Sequence, residues 1–394
     1  MEDKNYKTIS ILTSCEEDWG GSEELWAKCI PMLDAVKVTV YKKNINPLHP
    51  EFVRLADLGM RLVELNPDLS KAKRTVRKFK QLMNKALYNI YVDLQEVKLF
   101  QKSIKQTKPD LVVISQGINF DGLIYAYQCL ICKIPYVIIA QKAVDFYWPN
   151  PDARTFMKET LLNAEMCFFV SNHNKKLTEE QFGMHLKNSK VIFNPVKTSV
   201  NPLPFPSAAN GYHLACVARL FIIDKGQDIL LRIMAKDKWK QRNLSVSFIG
   251  TGVDEHGLKE MAELLGLKNV HFKGHESNIE SSWLSYHALV LPSRSEGLPL
   301  AMIEAMSVGR PVIVSNAGGN EDVIIDGLNG FIADATEKDF EAAMERAWNL
   351  RDEWKKIGEN ASAYVADNIP DSPERDFADE LNNILHELQD RNPA

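Results

Sequence analysis

The sequence has no apolar stretch long enough to span a bilayer, and its opening MEDKNYK is followed by only a short apolar run from Ile9. That run is too short for a secretory h-region, so a cytoplasmic location is expected. An excess of cations is also missing: 47 Lys and Arg against 52 Asp and Glu leave a net charge of -5. This excludes a global field favouring nucleic acid, so any anionic ligand must be held by local basic residues or backbone amides. Cysteine is sparse, with six in 394 residues. Cys129-x-x-Cys132 has neither a second pair nor a histidine cluster to complete a zinc site, and the thiols read as free and buried. The histidines show no metal-binding spacing, so neither a metal nor a cofactor is expected.

What is present is an ordinary globular composition in a chain longer than a single core usually supports, so two domains are expected. Short runs rich in Val, Ile and Phe alternate with helical segments, the pattern of buried parallel strands in an α/β fold. Strands are expected at Ile9 to Thr13, Val36 to Tyr41, Leu111 to Ser115, Tyr136 to Ala140, Met166 to Ser171 and Lys190 to Asn194. A second set is expected at His213 to Ala218, Ser245 to Gly250, Val270 to Gly274, Ala288 to Ser293 and Pro311 to Asn316. Between them Asn201-Pro-Leu-Pro-Phe-Pro206 cannot continue a sheet and reads as a linker. The expected domains are therefore 1–205 and 206–370, followed by a terminal helical segment, 371–394. Ligands of such sheets bind outside the carboxyl ends of the strands, which points to a cleft between the domains.

The most informative stretch runs from Leu291 to Pro311 and reads as strand, loop, helix, strand. Pro299 suits the first turn of the helix, Gly309 the residue just past its end, and Pro311 stops it. Glu296 then falls on the loop and Glu304 on the helix, where a carboxylate can accept from both hydroxyls of a ribose. The amides around Gly297, Leu298, Pro299 and Leu300, near a helix N-terminus, offer donors to hydroxyls or phosphate oxygens. Arg219 and Lys225, around the first strand of the second set, can face a diphosphate and stabilise charge building on a leaving group. In the first half, Gly20-Gly21-Ser22-Glu23 opens a helix with Ser22 a candidate N-cap, and the glycines permit close backbone approach. Gly250-Thr-Gly252 lacks the third glycine of a dinucleotide fingerprint, and Asp254-Glu255 would oppose a pyrophosphate, which argues against NAD. That turn belongs to a ligand cleft or to plain packing.

Glu296 and Glu304 form an E-x7-E motif that resembles the retaining GT-B glycosyltransferases of family 4. The resemblance extends through Val217-Ala-Arg219-Leu220, Lys225-Gly-Gln227, Phe248-Ile-Gly-Thr-Gly252, Phe272-Lys-Gly274 and Ala317-Gly-Gly-Asn-Glu321. It implies two facing Rossmann-like domains with a central cleft, the donor held mainly by the second domain and the acceptor by the first. It assigns Arg219, Lys225 and Glu296 to catalysis. Donor binding falls to Gly20, Gly21, Gln141, Gly250, Gly252, Gly297, Leu298, Pro299, Leu300 and Glu304. Gln141 stands where many members carry a histidine; it can bond a sugar hydroxyl but cannot titrate. The implied reaction is metal-independent transfer, with retention, from a UDP- or GDP-sugar to a hydroxyl of a glycan or lipid-linked acceptor. An epimerase or synthase of the same fold, or a silent nucleotide-sugar-binding protein, is the alternative.

Two features are open in sequence. Asp145-Phe-Tyr-Trp148 has the makeup of a sugar-binding surface or of buried aromatic packing. Residues 70–87 form a basic amphipathic helix, either solvated on its charged face or in peripheral contact with the inner face of a membrane.

Overall fold

The computed structural model describes residues 6–15, 18–34, 36–65, 94–276 and 278–391; the basic helix expected at 70–87 lies outside them. The chain divides into two units, Met1–Asn194 with Ser372–Ala394, and Pro195–Asp371.

The first unit is a seven-stranded sheet with every pairing parallel. Its strands are β1 (Lys7–Thr13), β2 (Val36–Lys42), β3 (Arg61–Glu64), β4 (Leu111–Gln116), β5 (Tyr136–Ala140), β6 (Met166–Phe169) and β7 (Ser189–Val191). They lie in the order β3-β2-β1-β4-β5-β6-β7. Every residue of β4 and β5 is buried, because helices cover both faces of a parallel sheet. Alternation along the strands sends Ile9, Ile11, Val113 and Ile139 into one core and Leu12, Val112, Ile114 and Ile138 into the other. The terminal helix Pro373–Arg391 belongs to the first of these cores, inserting Phe377, Leu381, Ile384 and Leu385 beside Leu25 and Trp26.

The second unit is a six-stranded parallel sheet in the order β10-β9-β8-β11-β12-β13. Its strands are β8 (Tyr212–Val217), β9 (Leu244–Ile249), β10 (Val270–Gly274), β11 (Ala288–Leu291), β12 (Val312–Ser315) and β13 (Gly330–Ala333). In each sheet the winding direction reverses at one place, between β1 and β4 and between β8 and β11. Loops leaving the carboxyl ends of those strands diverge and leave a crevice.

Several expectations need correction. β3 and β13 are additional edge strands. β6 stops at Phe169 and β7 at Val191, short of Ser171 and Asn194. The helix Gly21–Cys29 starts ahead of Ser22; Gly20 is its N-cap, and Ser22 donates to Glu23 instead. The boundary between the units falls at Asn194, before the segment read as a linker and ahead of residue 205. The segment 201–206 is held by buried Arg310, which donates to the carbonyls of Leu203 (3.1 Å) and Pro204 (2.7 Å). Among the described residues, no helix is long and apolar enough to cross a membrane.

Candidate functional site

The reversal between β8 and β11 gathers most of the residues singled out in the second half. The chain leaves β8 through Arg219, makes one helical turn, Ile222–Lys225, and stops at Gly226 in the left-handed region with φ +61°. A Cβ on Gly226 would stand 2.1 Å from the carbonyl oxygen of Pro292, so only glycine lets this turn press against the loop after β11. The carbonyl of Asp224 accepts from the amides of Arg294 (2.7 Å) and Ser295 (3.0 Å), drawing the same loop inward. Arg294 closes the join with a fork onto Asp228 at 2.7 and 2.9 Å and a bond to the carbonyl of Ile222. Burial alone would raise the Asp228 carboxyl, but hydrogen bonds from Arg294 and Arg232 outweigh it and hold the group below its ordinary value.

The consequence is a short ion pair. Lys225 Nζ donates to both carboxylate oxygens of Glu296 at 2.7 Å, with side-chain exposures of 15% and 7%. From the other side, Gly318 (φ +60°) approaches so closely that a Cβ would lie 2.3 Å from the Glu296 carbonyl oxygen, and the Gly319 amide bonds to the Gly297 carbonyl. Arg219 lies half-exposed on the loop after β8, 3.8 Å from Asp224. Gly250 and Gly252 pack on that loop from β9: a Cβ on either would meet the carbonyl oxygen of Ala218 or Leu220 at 2.1 or 2.2 Å. Gln227 donates to the Arg219 carbonyl at 2.6 Å.

Pro299 caps the helix Leu300–Ser307, its carbonyl accepting from the amides of Met302 (3.1 Å) and Ile303 (3.4 Å). Glu304, buried on this helix, accepts from the Lys197 amide at 3.2 Å. Lys225 and Glu296 are thus in contact and Arg219 is on an adjoining turn, while Glu304 is held by a different backbone segment. Four buried polar atoms of the surrounding loops have no hydrogen-bond partner: Gln227 Oε1, Ser293 Oγ, Ser295 Oγ and Asn320 Oδ1. A separate depression of about 390 Å³ lies by Asn316, Glu321, Asp334, Asp339 and Arg346; Arg219, Lys225, Glu296 and Glu304 do not line it.

In the first unit the Gly20-Gly21 turn rests on a buried pair. Glu23 accepts from the Gly20 amide (3.0 Å) and Thr13 Oγ1 (2.8 Å), and Lys42 Nζ lies 3.3 Å from it while donating to the Cys15 carbonyl at 2.7 Å. Burial, and then the Glu23 charge, push the Cys15 thiol up to about 11. Gln141 is a brace: its amide donates to the Ser22 carbonyl at 3.2 Å and its oxygen accepts from Asn194 at 2.7 Å. Glu23, Lys42, Asp228 and Arg294 were not singled out from sequence. Each pairs with a residue distant in the chain; Glu23 also accepts from the Gly20 amide, and its position three residues past Gly20 was the signal available.

Residues 205–364 match the family model described as glycosyl transferases group 1. An uncharacterized glycosyltransferase of Methanocaldococcus jannaschii is 27% identical over 215 residues, 54% of this chain and 57% of that protein. One of Haemophilus influenzae is 24% identical over 259 residues, 64% of this chain and 70% of that protein. The match thus spans little more than half of the first relative's length. Among solved structures, Anabaena HepE in complex with UDP superposes with a TM-score of 0.72 at 17% identity, over 95% of this chain and 100% of that one. At that identity the likeness establishes the fold, GT-B. The matched segment is similar to a glycosyltransferase domain of the group 1 type.

Proposed function

We propose that the chain is a retaining, metal-independent glycosyltransferase that moves a sugar from a UDP- or GDP-sugar to a hydroxyl of a glycan or lipid-linked acceptor. The observation that carries this reading is the Lys225–Glu296 pair beside Arg219 at the strand-order reversal, the position where α/β sheets take ligands. Departure of a nucleoside diphosphate builds negative charge on its phosphate oxygens. Arg219 and Lys225 are fixed cations that stabilise it, with Lys225 exchanging part of its bond to Glu296 for a phosphate oxygen. Glu304 receives the ribose hydroxyls, and the amides of Gly297, Leu298 and Leu300 meet the donor sugar. A carboxylate with both oxygens engaged by a lysine is a poor nucleophile, so Glu296 is assigned a binding role. Retention then proceeds by front-face attack, with the leaving diphosphate helping to take the acceptor's proton. The reading includes a cytoplasmic location, from the short N-terminal apolar run, and a part in polysaccharide assembly, by analogy with group 1 proteins.

Calorimetric titration with UDP, GDP and ADP in the presence of a chelator tests the reading. One nucleotide should bind, and the binding should disappear in Arg219→Ala and Glu304→Ala. Absence of binding to all three would remove the donor-site assignment.

A further inference from the structure

The loop that follows β5 in the first unit turns from buried to exposed within a few residues. Gln141, Ala143 and Val144 are buried, whereas Phe146, Tyr147 and Trp148 are 57, 50 and 63% exposed. Three consecutive aromatic side chains facing water form an apolar patch that a folded protein retains for a partner. The Phe146 and Tyr147 rings lie 5.1 Å apart, tilted by 53°.

The backbone under these rings is fixed from below. Fully buried Gln181 donates from Nε2 to the carbonyls of Val144 (2.9 Å) and Tyr147 (2.7 Å). Buried Asn119 accepts from the Val144 amide at 2.9 Å. Buried side chains spent on positioning an exposed segment make a preorganised surface, which binds without the cost of ordering a loop.

Charge selects the occupant. The exposed acids Asp145 and Asp152 flank the three aromatics in sequence, with Lys142 half-buried ahead of them, while Arg154 is turned to the Gln181 carbonyl and the Phe182 ring. An anionic lipid surface is repelled by such a rim. An uncharged pyranose fits it: the C–H face of the ring lies on an aromatic face, and its hydroxyls donate to the carboxylate beside it. We infer that Phe146, Tyr147 and Trp148, with Asp145, form a stacking subsite for an uncharged oligosaccharide. The occupant is the acceptor of the reaction proposed above, and the inference rests on that reading.

The test uses the full chain and, as probes, neutral pentasaccharides of α-linked glucose, β-linked glucose, β-linked N-acetylglucosamine and α-linked mannose. Binding is followed by calorimetry and by tryptophan emission. At least one probe should bind and shift the emission. Trp148→Ala and Tyr147→Ala should each weaken it roughly tenfold, Trp148→Phe should recover most of the loss, and melting temperatures should not change. Nucleotide titrations on the same variants should match the parent, which separates this site from the donor site. Nucleotide binding with no oligosaccharide binding, or with binding indifferent to Trp148→Ala, would overturn the subsite alone; loss of both would overturn the underlying reading as well. Blue-shifted emission on phosphatidylcholine–phosphatidylglycerol vesicles, abolished in Trp148→Ala, would assign the patch to a bilayer instead.

Discussion

Lys225 and Glu296 are 71 residues apart in sequence, yet one ammonium bridges both oxygens of one carboxylate at 2.7 Å. The pair is a competition built into the site. The lysine is available to phosphate only as far as the glutamate releases it. Glu296→Gln removes the competing charge and keeps the shape, so nucleoside diphosphate affinity should hold or rise while sugar transfer falls. Lys225→Ala removes a charged hydrogen-bond donor and should weaken nucleotide binding by about 10- to 100-fold. Calorimetry and initial rates on the two variants check this; parallel loss of nucleotide affinity in both would show that the pair is not a competition.

Gly226 is where the pair is made. With φ +61° and a Cβ destined for 2.1 Å from the Pro292 carbonyl oxygen, Gly226→Ala meets both strain and a backbone clash. The second unit should lose about 3 kcal/mol, roughly 10 °C in melting temperature, and nucleotide binding should weaken with it. Gly257, on the helix Glu255–Leu264 where a Cβ meets open space, provides the control: Gly257→Ala should melt no lower than the parent.

A buried histidine gives the second unit a pH dependence of known sign. His287 is fully buried, and its Nδ1 accepts from the His213 amide at 3.0 Å. Burial, then the neighbouring His213, lower its pKa from 6.5 to about 4. The folded state therefore favours the neutral ring, and the unfolded chain takes up the proton first as pH falls. Stability associated with His287 should be complete above pH 6.5 and decline as pH falls toward 4. Thermal melts across that window should slope downward toward acid, and His287→Gln should flatten the slope.

The central strands and the loop-helix placement of Glu296 and Glu304 are legible in sequence because apolar runs and Gly and Pro punctuation report on local backbone. Edge strands are less legible. β3 carries Arg61 and Glu64 at its ends, and β13 opens on Gly330, so neither reads as a long apolar run in sequence. Lys42 ends β2 and reads as a solvated lysine, yet it is 1% exposed because its partner Glu23 comes from a helix across the loop. Nor could sequence settle Phe146 to Trp148. An aromatic run has the same composition buried or exposed, and its exposure follows from Gln181, supplied by a distant helix.

The terminal helix is part of the first unit's core, and Phe377 shows how much depends on it. Its ring is fully buried, edge-on to Phe168 at 5.1 Å. Phe377→Ala should destabilise the first unit by about 3 to 5 kcal/mol. Nucleotide binding in the second unit should change far less. Hydrogen exchange resolved by region would separate the two, with protection lost in β1 and β4 and retained in β8 and β11.

Asp228 tests whether the Glu296 loop is positioned from behind. The fork from Arg294 onto Asp228 is made wholly of side chains, and Asp228→Asn halves its acceptor capacity and removes its charge. If the fork sets the loop, the variant should still bind UDP or GDP through Arg219 and Lys225, with kcat falling more than nucleotide affinity. The pH dependence carries a second signature. The parent carboxyl is held below its ordinary value, so its contribution to stability is present above pH about 4 and lost as pH falls further. Asp228→Asn should therefore melt less stably than the parent at neutral pH, and the difference should shrink in acid. A variant with unchanged kcat and a pH-independent deficit would show that Arg294 holds the fold and leaves the reaction alone.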